Sequence, residues 1–407
     1  MTTTVPVTSA SLQRRSNAQA VLELIWDSAD PVTGSDLITL TGLTRTTVHD
    51  VCDDLRARGW VLEIDADRST TGSRKGRPAR RYRFHELLGV VVGVDAGQHR
   101  IHVWVGDLNG RELARHAAPV GRDDRLEGIG AAIGRALAAA GVGADRVLGV
   151  AVGVPAPVDA TGHTDGSGTP FWARMNTGIK EHLETLFGAG RVLVDNDANL
   201  AALAEGWCGA SRTATSYIAL LSGERLGAGV VDNGHILRGR AGGAGEMRYL
   251  DLVESVGSAK GMTRLAREWA REAAMDGDIS RETPLAEHDL TTIDADDVFR
   301  AAERGDPVAE RIVRQLGERF TRIIATLAII HDPEVIVITG RIAHACGPVI
   351  AHITAGLGGY VDPPHPRIAA SELGDDVVSI GAVKRALDHV RRNALDLDPT
   401  TAPPRRE

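Results

Sequence analysis

Apolar residues recur with helical spacing twice before residue 60, and capping residues mark a further short helix between the two stripes. Ala18, Val21, Leu22 and Ile25 make the first stripe, with Asn17 placed to cap a helix that reaches Trp26 and stops at Asp30-Pro31. A second, short helix is predicted over 34–40, because Thr33 and Asp36 stand at capping-box spacing. Gly42 supplies a tight turn, Thr44 caps a third helix and Gly59 ends it. That helix carries the stripe Val48, Val51, Cys52 and Leu55, and its opposite face begins with Arg45, Thr46 and His49. Two short helices, a Gly turn and a longer third helix form the helix-turn-helix layout, in which the first residues of the last helix meet base edges. Residues 60–64 and 82–84 then read as the two strands of a wing.

After Leu87 the pattern changes to Gly-rich α/β. Residues 89–95 form a buried strand, a turn at Gly97 leads to a returning strand over 101–105, and 107–110 turn into a third. A similar unit recurs at 217–223, 226–231 and 232–234. Two such hairpins about half a domain apart predict an internally duplicated, two-lobed fold. Between them, residues 148–159 give a strand and a Pro-bounded loop, and 191–194 give a strand that ends in Asp195-Asn196-Asp197-Ala198-Asn199. Polar groups at a strand's C-terminal end are where open α/β sheets bind ligands; the alternative is that Asp197 only caps the following helix. A long amphipathic helix is expected over 306–330 and a closing helix over 380–390.

With 407 residues, 43% hydrophobic and 25% charged, the chain has the composition of a globular protein of two or three domains, which excludes a disordered or fibrous one. Aromatic residues are only 4%, so the core is built from aliphatic side chains. The net charge of -8 leaves no global basic field. Locally the picture reverses: Arg68, Arg74, Lys75, Arg77, Arg80, Arg81 and Arg83 lie within sixteen positions that hold no acid, a footprint for phosphates. Gly76-Arg77-Pro78 inside it resembles the extended Arg-bearing segments that enter a narrow minor groove. Asp50, Asp53 and Asp54 repel phosphates, which confines base contacts to the first turn and a half of the third helix. The DNA-contacting set is therefore Thr44, Arg45, Thr46, His49, Arg74, Lys75, Arg77 and Arg80. Three scattered cysteines, Cys52, Cys208 and Cys346, fit a reducing compartment and no metal or disulfide pattern. Without a signal-peptide layout or an apolar run of membrane-spanning length, a cytoplasmic protein with no membrane partner is expected.

These motifs, in this order, resemble the ROK family (repressors, open reading frames, kinases), and specifically its sugar-responsive transcriptional repressors. The resemblance runs from about Ser16 to His389. It rests on Gly76-Arg77-Pro78 in the wing, on 149–155 and Asp195-Asn196-Asp197-Ala198-Asn199, on Gly245-Glu246-Met247 and on 335–340. It implies that Asn196 and Asp197 hold sugar hydroxyls, with Asp197 at the position of the general base in kinase members. It also implies that Glu246 contacts the ring from the other side and that Glu254 is a further sugar ligand.

The departures from the family pattern are equally specific. Where the first phosphate motif reads D-x-G-G-T-K, this chain has Asp95-Ala96-Gly97-Gln98-His99-Arg100; where the second reads G-T-G-x-G, it has Gly223-Glu224-Arg225-Leu226-Gly227. Gln98 costs close backbone approach, and Glu224 repels a triphosphate. ATP- and Mg-dependent phosphorylation is thus expected to be lost. Tyr249 stands where the family's zinc-binding His falls, and the Cys-bearing loop is absent, so neither zinc nor any other cofactor is expected.

The expected architecture is an α+β winged helix-turn-helix domain (16–85) followed by a two-lobed α/β actin-like (ribonuclease H-like, duplicated) sugar-kinase domain (86–393). A flexible N-terminus (1–15) and a disordered tail (394–407) flank them. The expected protein is a homodimeric repressor, or a dimer of dimers, whose partners are operator DNA and a sugar or sugar-phosphate effector. The alternatives are an active sugar kinase carrying a DNA-binding head, and a regulator whose kinase-like domain is only a dimerisation scaffold.

Overall fold

The computed structural model describes residues 9–64, 80–120, 125–165, 169–248, 250–280, 282–289, 292–397 and 399. The N-terminal head comprises α1 (Ser9–Trp26), β1 (Val32–Thr33), α2 (Gly34–Thr41), α3 (Arg45–Ala57), β2 (Val61–Ile64) and β3 (Arg81–Phe84). The capping signals act as their chemistry dictates. The Thr33 hydroxyl accepts from the Asp36 N–H at 3.2 Å, and the Asp36 carboxylate accepts from the Thr33 N–H at 3.0 Å. Gly42 ends α2 at φ 69°, where a side chain is disfavoured, and Thr44 caps α3 by accepting from the Thr47 N–H at 3.3 Å. Val48, Val51, Cys52 and Leu55 are buried.

Two features of the head differ from the sequence reading. The β2–β3 pair gains a third strand, in the order β1-β3-β2, with Val32 paired to Tyr82. Residues 9–15, expected to be flexible, are the first turns of α1. Their polar side chains are ordinary helix formers, and Arg15 is ion-paired to Asp396.

The remainder builds two like sheets. The first holds β4 (Val90–Ala96), β5 (Arg100–Gly106) and β6 (Glu112–Pro119), then, after α4 (Arg125–Ala139), β7 (Val147–Val154). Following α5 (Pro170–Met175) and α6 (Ile179–Phe187), β8 (Val192–Asn196) completes the order β6-β5-β4-β7-β8 and leads into α7 (Asp197–Trp207). The second sheet begins with β9 (Tyr217–Ser222), β10 (Leu226–Asp232) and β11 (His235–Ile236). Then come α8 (Met262–Met275), α9 (Ala295–Glu303), α10 (Pro307–His331), β12 (Val335–Thr339), α11 (Gly347–Gly356), β13 (Arg367–Ala370) and α12 (Val377–Asn393). Its order, β11-β10-β9-β12-β13, repeats the first: an antiparallel meander on one side and parallel strands on the other.

Two helices cross between the lobes. α7 grows out of the first sheet and packs on β9 and β10 of the second, whereas α12 returns from the second lobe to pack on β4, β5 and β7. They meet at Gly381, where an added Cβ would stand 1.8 Å from the Leu200 carbonyl oxygen. α10 buries Val308, Ile312, Leu316, Phe320, Ile324 and Leu327, the stripe expected of it.

The head shares its core with the first lobe. Its buried residues run without interruption into Val91, Leu108, Leu148 and the inner face of α12. Trp26 donates its indole N–H to the Leu108 carbonyl at 3.2 Å and stacks on Phe84 with ring centroids 4.0 Å apart. Residues 394–397, expected within a disordered tail, are ordered against the head: Ala394 is fully buried, and the Leu395 carbonyl accepts from Arg58 at 2.6 Å. Among the described residues no helix is long and apolar enough to cross a membrane.

Candidate functional site

β8 ends at Asn196, and α7 starts one residue later, so the strand's C-terminal edge and the helix N-terminus deliver side chains to one point between the lobes. Asn196 caps α7 by accepting from the Asn199 N–H at 3.1 Å. Its amide donates to the Ala156 carbonyl at 3.1 Å and to Glu246 Oε1 at 3.4 Å. Asp197 Oδ1 accepts from the Ala198 N–H at 2.8 Å. Glu246 comes from the second lobe on a loop pressed against β10. Gly245, at φ 81°, makes that approach possible, because a Cβ there would meet the Ala228 carbonyl oxygen at 1.8 Å. Asn196, Asp197 and Glu246 are thus brought together as expected. Glu254 is not: it is exposed, just beyond the turn 250–252, and has no hydrogen bond or ion pair with the other three.

The electrostatics are those of crowded, dehydrated acids. Burial raises Asp197 well above the usual carboxylate range, and neighbouring Asp95 and Glu246 raise it further. Burial pushes Glu246 to about 7, against the opposing pull of Arg225. Asp95, at the end of β4, is pushed to about 6 by burial; His102 and Arg125 restrain the shift, while Asp375 and Asp376 add to it. Carboxyl groups poised near neutrality both donate and accept hydrogen bonds, the chemistry that recognises a neutral polyol.

The neighbouring cavity, about 290 Å³, is lined by Asp95, Gln98, His99, Asp197, Glu224 and Arg225 among others. Glu224 is ion-paired to Arg267 at 2.8 Å, and the Arg225 guanidinium lies 5.4 Å from the centre of the Phe171 ring. Gln98, Glu224 and Arg225 thus each place a side chain around this cavity. Tyr249, on which the zinc expectation turned, lies outside the described residues; among the described residues no cluster of His, Cys, Asp or Glu is arranged to hold a metal ion.

In the head, Thr44, Arg45 and Thr46 are exposed on the first turn of α3, and His49 is half-buried beside Gly34. Arg80 is engaged at home, 3.1 Å from Asp53 and 3.3 Å from Glu63. It thereby neutralises one of the acids on α3 that would oppose DNA. Arg74, Lys75 and Arg77 lie outside the described residues.

Sequence reasoning named Asp195 within its motif but gave it no role. It is 3% exposed and bonds Arg238 at 2.6 Å, with Arg385 Nε 3.5 Å away, so it joins the second lobe and α12 directly behind Asp197. Its partners lie 43 and 190 positions along the chain, and no local pattern signals them.

Comparison with known proteins fits this geometry. The family model described as "ROK family" matches residues 91–389. A putative xylose repressor from Caldicellulosiruptor sp. (strain Rt8B.4) is 24% identical over 92% of this chain and 96% of its own length. A glucokinase from Halalkalibacterium halodurans is 30% identical over 71% of this chain and 92% of its own. Among solved structures, a ROK family transcriptional regulator, a homologue of the E. coli MLC protein, superposes with a TM-score of 0.73. It is 22% identical and covers 93% of this chain and 98% of its own.

Proposed function

From the premise that this chain belongs to the ROK family, we propose that it is a sequence-specific DNA-binding repressor of carbohydrate-metabolism genes, released by a sugar or sugar phosphate bound at Asn196, Asp197 and Glu246. One observation carries this reading: a head of three helices and a three-stranded sheet is fused, through a shared core, to the ROK domain. The repressor relative matches across nearly its whole length and 92% of this chain, whereas the glucokinase relative matches 71% of it.

The head is a winged helix-turn-helix. The exposed first turn of α3 (Thr44, Arg45, Thr46 and His49) reads the major groove, and the basic segment around Arg77 follows the adjacent backbone and minor groove. A homodimer presents two heads to half-sites about 34 Å apart, so a small rotation of one head changes affinity steeply. Glu224, Gln98 and the Arg225–Phe171 contact support a cleft that binds sugar without transferring phosphate, with no resident metal or nucleotide. A soluble cytoplasmic location follows from this role.

The test is DNA binding to the protein's own upstream region at fixed salt, with and without a panel of sugars and sugar phosphates. A specific complex that one sugar dissociates supports the reading and names the effector. A specific complex that every sugar leaves intact makes the ROK domain a scaffold. ADP release with any sugar, and no specific complex, makes the protein a kinase. Arg77→Ala should weaken the complex and lower the slope of log affinity against log salt by roughly one; an unchanged slope places the wing off the DNA.

A further inference from the structure

Behind the sugar cleft, where the head, α12 and the β10–β11 hairpin meet, lies a second cavity of about 390 Å³. It is lined by Glu23 of α1, by Arg238, and by Arg385, Asp388, Arg391 and Arg392 of α12, with His235 at its edge. Four guanidinium groups thus share one cavity with two carboxylates.

Around it five cations, Arg238, Lys384, Arg385, Arg391 and Arg392, meet four carboxylates, Glu23, Asp27, Asp195 and Asp388, which leaves one positive charge over. Arg391 is paired to Asp27, and Asp388 is held by Lys384 at 2.5 Å. Arg238 and Arg385 share the single carboxylate of Asp195. The Arg385 contact is loose: its buried Nε, 3.5 Å from Asp195, has no hydrogen-bond acceptor. Arg392 donates Nε to the Asp388 carbonyl at 2.9 Å and meets no carboxylate among the described residues. Arg238 and Arg392 both act electrostatically against Arg385, which burial disfavours as a cation. Like charges gathered around one open cavity are stabilised by an anion placed between them.

We propose that this junction is a binding site for the phosphate group of a small metabolite, separate from the sugar cleft. Arginine forks match the oxygen geometry of a phosphate dianion and bind it through paired N–H donors. The cavity volume suits a small phosphorylated molecule rather than a nucleic acid. An occupant touches α1, α12 and the second lobe at once, so it ties the head to the interlobe arrangement without entering the cleft at Asp197.

Titration calorimetry of the full-length protein with inorganic phosphate and with pyrophosphate, at constant ionic strength set by chloride, tests this without DNA or sugar. Its outcome is therefore independent of the regulator reading. Saturable one-site binding is expected, weakened roughly tenfold or more by Arg392→Ala, an exposed residue whose loss should leave the melting temperature in chloride unchanged. Arg77→Ala, in the basic segment of the head, should bind as the parent does. The proposal is overturned if no saturable binding occurs, if Arg392→Ala binds phosphate like the parent, or if binding disappears with Arg77→Ala.

Discussion

Asp197, Asp95 and Glu246 crowd one another at a half-buried site, and each is held above its ordinary value chiefly by burial. A carboxyl group whose pKa is raised by folding keeps a proton that the unfolded chain has already released. Its contribution is neutral at low pH, where both states are protonated, and becomes a penalty that grows as pH rises from the unfolded value to the folded one and is constant above it. For Glu246 that window runs from its unfolded value, near 4.5, to about 7. Glu246→Gln removes the ionisation while preserving an acceptor for the Asn196 amide. It is expected to stabilise the protein by on the order of 2 kcal/mol at about pH 8, and by nearly nothing at about pH 4.5. Thermal denaturation of both proteins across this range is the check. An equal gain at both ends would mean that the crowding is steric rather than electrostatic.

At the scale of elements, the two-lobed domain depends on α7 and α12 crossing at backbone contact. Gly381 has the Leu200 carbonyl against it, and Gly93 of β4 has the Ser379 carbonyl 2.2 Å from where a Cβ would sit. Gly381→Ala must push the helices apart, and it is expected to cost roughly 1–3 kcal/mol, read as a lowered denaturant midpoint with an unchanged slope. A neutral result would mean that the crossing yields without loss. Such elements were legible where one stripe or one cap decides them: α3 from Val48, Val51, Cys52 and Leu55, α2 from Thr33 and Asp36, and α10 from its apolar repeat. β1 was not legible, because two residues make no period and its identity comes from pairing with β3. The start of α1 escaped notice because residues 9–16 carry no apolar stripe, and Arg15 is tied to a partner 381 positions away. Asn196 and Asp197 could be read from a strand running into a helix, and Glu246 from the family motif around it. Glu254 rested on a short match beside a shortened loop, and that loop leaves it in solvent.

At the scale of the whole molecule, a sugar can alter DNA binding only if the cleft and the head share an element whose position both of them bias. The described residues supply a continuous path. Asp197 begins α7, α7 is locked to α12 at Gly381, and α12 ends beneath the head, where Arg391 pairs with Asp27 and its carbonyl accepts from Gln19 at 3.2 Å. Beyond α12 the chain reaches α3 itself. Arg58, the C-cap of α3, donates to the Leu395 carbonyl at 2.6 Å and the Leu397 carbonyl at 3.3 Å. Arg58 lies at the opposite end of α3 from Thr44, Arg45 and Thr46, and it touches nothing in the cleft. Arg58→Ala should therefore leave sugar affinity and sugar-free operator affinity each within about twofold of the parent, a difference of ~0.4 kcal/mol. It should nevertheless cut the factor by which sugar weakens the operator complex. The measurement is one matrix of operator titrations, with and without the effector, for parent and variant. A smaller ratio with unchanged individual affinities places part of the coupling in this contact, and reciprocity then requires that operator DNA weaken sugar binding by the same reduced factor. An undiminished ratio means that the head follows α12 through the shared core around Trp26 and Leu108 instead.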